Sequence, residues 1–140
     1  MKVWIVALVI LAAFMATVTQ YQASEMYSWS TSDALYQVAV ATVTAADWAQ
    51  TRYISNNSTT CFEYNPIIGV HPSLGKVNDY FGATIATEAL IAYGAPEIIL
   101  LFGGSQIAVA KARTLAQGIF IGVESVAVST NLRHGVKFNF

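Results

Sequence analysis

Apolar stretches alternate with short polar ones along this chain, and their lengths set the fold class. Residues 3–18 are unbroken in apolar character apart from Thr17 and follow a single cation, Lys2. A run of this length suits a short membrane anchor or the core of a signal peptide. The small residues that a signal peptidase needs are interrupted by Gln20, Tyr21 and Gln22, which favours an uncleaved anchor with Lys2 on the cytoplasmic side. Residues 19–33 turn polar and aromatic, and Tyr21, Tyr27 and Trp29 suit a membrane–water boundary. Ser30, Thr31, Ser32 and Asp33 then offer an N-cap and an acidic first turn.

The next helix is predicted over 34–54. Gln37, Val40, Thr44, Asp47 and Thr51 step by three and four along it, so its polar positions form one stripe. A polar loop over 55–60 follows, and Asn65-Pro66 is a turn signal. A second apolar region covers 80–95, with Glu88 near its middle and Pro96 at its end. Residues 98–110 are free of charge, contain Gly103-Gly104, and lead to Lys111 and Arg113. The last apolar segment, 114–132, has Glu124 near its centre and is followed by Arg133, His134 and Lys137.

A continuous helix over 97–131 would be about 50 Å long, against a hydrocarbon core of roughly 30 Å. Residues 98–110 are therefore expected to be a short re-entrant or interfacial piece, or else a long helix protrudes from the lipid. The predicted fold is all-α: a small polytopic transmembrane helical bundle of about four spans, at 3–20, 34–54, 79–95 and 114–131. The first of these is an anchor or a signal peptide. Residues 1–25 form that segment and 26–140 a helical membrane domain. With Lys2 inside, Arg52, Lys76 and the basic tail are inside too. Lys111 and Arg113 fall outside, against the positive-inside tendency.

Composition narrows the function. Of 140 residues, 55% are hydrophobic and 11% charged, where soluble domains average about 25% charged. Disorder and a cytosolic enzyme are both disfavoured. A net charge of −1 without a basic tract gives nucleic acid nothing to bind. Cys61 is the single cysteine, so neither an intrachain disulfide nor a multi-thiolate zinc site can form.

Asp47, Glu88 and Glu124 each fall inside a predicted span. An intramembrane carboxylate costs about 2.5–3.5 kcal/mol on insertion scales, so it has a role. One role is a proton or cation path, or a metal site between helices. The other is structural glue, with the acids protonated or hydrogen-bonded to Thr44, Thr51, Gln117 and Asn131. In the last span Gln117, Glu124 and Asn131 recur every seven residues, and beside them Gly118, Gly122, Ser125 and Ser129 make a small-residue ridge suited to close helix packing.

Cys61, Glu63 and His71 are close in sequence but match no tetrahedral metal spacing, and a loop-bracing role for Glu63 and His71 is the simpler expectation. Asn57-Ser58-Thr59 fits a glycosylation sequon, a tripeptide common in polar loops. No nucleophile elbow, zinc-protease, P-loop or dinucleotide fingerprint is present, so no enzyme, metal or cofactor is implied. The aromatic ending Phe138-Asn139-Phe140 is like that of an outer-membrane barrel strand, but the apolar runs are helical in length.

Residues 47–81 are the most distinctive. Asp47, Gln50 and Thr51 form D-x-x-Q-T, and Glu63, Asn65, Pro66 and Gly69 form E-x-N-P-x-x-G before His71 and Tyr80. This pattern resembles a group of small, uncharacterised polytopic membrane proteins of proteobacterial and phage genomes, and Gln117, Glu124, Asn131 and Gly135 continue the resemblance. It implies a bacterial or phage origin and a shared polar core, and it carries no activity. The expected function is that of a structural or accessory subunit of a larger assembly in the bacterial inner membrane, in contact with lipid and other subunits. The alternative is a holin-like or ion-conducting homo-oligomer that uses its intramembrane acids.

Overall fold

A computed structural model describes residues 29–138. The expected first span, 3–20, and the aromatic Tyr21 and Tyr27 lie outside the described residues. Among these, all regular structure is helical.

The first helix, α1 (Thr31–Asn56), starts at the expected cap. Ser30 Oγ accepts from the Asp33 amide at 3.1 Å, and the Asp33 carboxylate accepts from the Ser30 amide at 2.9 Å, a reciprocal capping box. The loop over 57–73 ends at Ser73, whose hydroxyl accepts from the Lys76 amide and starts α2 (Leu74–Ala89). This helix begins before the predicted 79 because Pro72 and Ser73 act as a start signal.

Pro96 does not end the apolar helix. The chain widens into a π turn over Leu90–Gly94 and continues as α3 (Ala95–Leu101), with Pro96 in its first turn, where a missing N–H is best tolerated. Gly103 and Gly104 then stop it. Gly103 has φ +78°, and the amides of Gly104 and Gly103 donate to the carbonyls of Ile99 and Leu100 at 2.8 and 3.0 Å, a Schellman turn. Ser105 caps α4 (Gln106–Arg133) immediately afterwards. Residues 98–110 are therefore no re-entrant piece. Their first part finishes one helical rod and their last part begins the next.

The span count is corrected accordingly. Among the described residues, where three of the four expected spans fall, two helices, Leu74–Leu101 and Gln106–Arg133, are long and apolar enough to cross a membrane, and the span expected over 34–54 is not one of them. Each has 28 residues and is about 42 Å long at 1.5 Å per residue, longer than the predicted 79–95 and 114–131. α1 is long enough but carries Gln37, Thr44, Asp47, Gln50, Thr51 and Arg52, which lowers its apolar character.

α1 packs against both α2 and α4, and what these helices bury is unusual. The buried set holds Asp33, Asp47, Gln50, Glu88, Arg113, Gln117, Glu124 and Asn131, whereas Leu35, Val38, Ile98, Leu115, Ile119, Val123 and Val126 face outward. Just 22% and 17% of the apolar windows of the two long rods are buried inside the protein, where a soluble core helix would be mostly covered.

Candidate functional site

Polar side chains meet between the helices in two places, one near each end of α1.

The first network gathers around the start of α1. Asp33, whose carboxylate closes the capping box, also pairs with Arg113 of α4 at 3.5 Å, both residues being buried. Arg113 Nε donates to the carbonyl of Ala92 at 3.1 Å. Ala92 precedes Pro96 by four residues, so Pro96 withholds the amide that an α-helix would direct at this carbonyl. The guanidinium also lies 4.7 Å from the centre of the Trp29 ring, which stacks on Tyr93. Deeper along α1, Gln117 Nε2 donates to the Asp33 carbonyl and to Gln37 Oε1, at 3.2 and 3.0 Å. Gln37 Nε2 donates onward to Glu88 at 2.9 Å. Three helices are thus tied by one chain of amides and carboxylates.

The second network lies toward the other end. Asn131 Nδ2 donates to Asp47 at 3.2 Å. Glu124 of α4 and Glu63 of the loop are the acidic groups within electrostatic reach of Asp47. Asp47 faces α4. The contact to α2 is made by Trp48, whose Nε1 donates to Asn78 at 3.0 Å while its ring stacks on Phe81. Thr51 and Gln50 are buried one turn beyond Asp47. Gln50 is fully enclosed, yet neither Nε2 nor Oε1 has a hydrogen-bond partner.

The loop motif is a self-contained brace. Glu63 Oε1 accepts from the Asn65 amide at 2.7 Å, Asn65 Oδ1 accepts from the Ile67 amide at 3.0 Å, and the Gly69 amide closes on the Asn65 carbonyl. Gly69 has φ +81°, a conformation that suits glycine. Glu63 thus braces the loop through a backbone amide. Pro66 and His71 are exposed, and His71 packs beside the Phe62 ring. Cys61, Glu63 and His71 form no metal site, and no group of three or more His, Cys, Asp or Glu among the described residues is arranged to hold a metal ion.

The small-residue ridge faces away from the rest of the chain. Gly118, Gly122 and Ser129 are exposed and Ser125 is half-buried, and a Cβ added at either glycine would meet nothing.

Sequence reasoning missed several participants. The sequence pattern alone makes Asp33 a cap, Gln37 one position in a stripe and Arg113 a charge outside the membrane. Arg113 pairs with Asp33 because it enters α4 on the same face as Gln117, four residues later, and that spacing was its available signal. No protein-family model, curated protein or solved structure matches the chain.

Proposed function

We propose that this chain is an integral membrane protein of the bacterial inner membrane, a structural or accessory subunit of a larger bacterial or phage-encoded assembly. The observation that carries this reading is the division of its surface. The polar side chains turn inward into helix-to-helix hydrogen bonds, while the outward side of α4 offers apolar residues and an unpaired Gly118–Gly122 ridge. In lipid, small residues let a second helix approach closely, and a ridge unused within the chain suits a neighbouring subunit. The motif over residues 47–81 fits the same view, because it braces a loop and tethers α1 to α4 through Asp47.

Native mass measurement after mild detergent extraction tests this, with mass spectrometry of co-eluting proteins. Elution with unrelated larger subunits, lost in the Gly118→Leu/Gly122→Leu double variant, is the expected result. Elution as a monomer that the variant leaves unchanged would overturn it. A discrete homo-oligomer would favour the alternative of an ion-conducting assembly, and the partnerless buried oxygens near Asp47 are what favour that second reading.

A further inference from the structure

The loop that joins α1 to α2 turns apolar side chains outward. Phe62, Tyr64, Ile67 and Val70 are all more than half exposed, Ile67 the most so at 70%. The loop cannot fold back over them, because its backbone is committed. The Glu63 amide donates to the Val70 carbonyl and the Gly69 amide to the Asn65 carbonyl, both at 3.0 Å. The Asn65 and Ile67 amides are taken by the side chains of Glu63 and Asn65, and Pro66 brings no N–H. Clustered apolar side chains on a braced loop mark a contact surface. A loop that satisfies its own amides can also enter a poorly hydrated layer at little cost.

Cations lie beside these side chains. A Cβ added at Gly69 would be 3.9 Å from Lys76 Nζ, so this ammonium group rests against the loop. Tyr64 packs on His134 with ring centres 5.6 Å apart, which brings the end of α4 to the same place. Lys76, Arg133 and Lys137 are exposed there, and Asp79 is the exposed acid on that stretch of α2. The opposite end differs. Its turn between α3 and α4 also exposes Leu101 and Phe102, but the exposed charges flanking it, Glu97 and Lys111, are of opposite sign. Both rods are about 42 Å long against a hydrocarbon core of roughly 30 Å, so their ends reach the headgroup layers. The loop enters one rod and the tail leaves the other at the same boundary.

We infer that the loop over 61–74 and the tail from His134 form a foot on the anionic phospholipid surface, with Phe62, Tyr64, Ile67 and Val70 between headgroups and acyl chains and Lys76, Arg133 and Lys137 on lipid phosphates. Aromatic and aliphatic side chains next to Lys and Arg are the combination that such a boundary favours. The inference rests on the membrane reading above and adds which end meets anionic lipid, and through which side chains.

The test reconstitutes the full chain, in a Cys61→Ser background, into phosphatidylcholine vesicles containing phosphatidylglycerol. A nitroxide is attached through Ile67→Cys or, separately, through Ile85→Cys near the middle of the first rod, both exposed positions. Relaxation by oxygen, which concentrates in lipid, and by a water-soluble nickel chelate gives the depth of each label. The label at 67 should sit about 5–10 Å into the boundary, and that at 85 deeper. A label at 85 open to the chelate would overturn the membrane reading, and the foot with it. A label at 85 in lipid with one at 67 open to the chelate, or shielded from both relaxants by protein, would overturn the foot alone. In lipid–detergent micelles, phosphatidylglycerol should raise the unfolding midpoint above phosphatidylcholine. High salt and the Lys76→Gln/Lys137→Gln variant should each remove that rise. Equal midpoints in the two lipids, or a rise that the variant keeps, would overturn the binding of lipid phosphate.

Discussion

Arg113 donates to the carbonyl of Ala92, which Pro96 deprives of its α-helical donor four residues later. One side chain from α4 thus repairs a backbone defect in the neighbouring rod, and through Asp33 it ties that rod to the start of α1. The π turn, the proline and the buried arginine are one device.

A mutant cycle tests that device. Arg113→Leu should destabilise the protein by about 3–5 kcal/mol, because it strands the buried Asp33 carboxylate. In a Pro96→Ala background the amide at position 96 can reach the Ala92 carbonyl, so the loss should shrink by about 1 kcal/mol. Unfolding of the four proteins of the cycle in detergent measures the coupling. Strict additivity would mean that the arginine does not serve that carbonyl.

Gln37 sits between two other buried groups, accepting from Gln117 and donating to Glu88. Gln37→Leu removes the donor to the Glu88 carboxylate and leaves Gln117 Nε2 only its bond to the Asp33 carbonyl, at roughly 1–3 kcal/mol for a group left unsatisfied. Glu88→Gln keeps an acceptor for Gln37 Nε2 and should be the milder change. Denaturant midpoints rank the pair, and the reverse order would show that the carboxylate at 88 has a role beyond accepting this bond.

Asn131 joins the second network to the chain's end, since its side chain donates to Asp47 and its carbonyl accepts from the Val136 amide at 3.0 Å. Asn131→Ala removes the donor from a buried carboxyl group and should cost about 1–3 kcal/mol. Thr130→Ala, one position earlier and outside the network, should change the unfolding midpoint little. Equal effects of the two would detach Asn131 from Asp47.

The sequence carried the local part of this architecture well. The Ser30–Asp33 cap, the polar stripe of α1 and the Asn65-Pro66 brace depend on neighbours a few residues apart, and periodicity or turn chemistry reports such relations directly. The limits of the two long rods were harder to see. Pro96 reads as a stop signal, and its tolerance depends on the π turn and on Arg113, which is 21 residues from Ala92. Partners such as Gln37 and Gln117, 80 residues apart, or Asp47 and Asn131, 84 apart, leave no trace in one sequence beyond their shared helix faces. Asp47 could therefore be recognised as a buried acid without its partner being known. Gln50 gave the weakest signal of all, because its lack of a partner is a property of the packed helices.

The glycines of the C-terminal half separate turn chemistry from surface packing. Gly104 approaches the Ile99 carbonyl so closely that an added Cβ would lie 2.7 Å from its oxygen, so Gly104→Ala should open the turn between α3 and α4 and lower the unfolding midpoint. At Gly118 and Gly122 an added Cβ meets nothing, and both lie inside a helix, where alanine is favoured over glycine by up to about 1 kcal/mol. Gly118→Ala and Gly122→Ala should therefore leave the isolated chain as stable as before or slightly more so. Retaining glycine there has no explanation within the chain, whereas a neighbouring helix packed on the ridge would supply one. The comparison is made by measuring unfolding midpoints of the isolated protein beside its retention in the extracted assembly. Variants that keep stability but lose retention support a docking ridge. Variants that lose stability in isolation would instead place the ridge against part of the same chain.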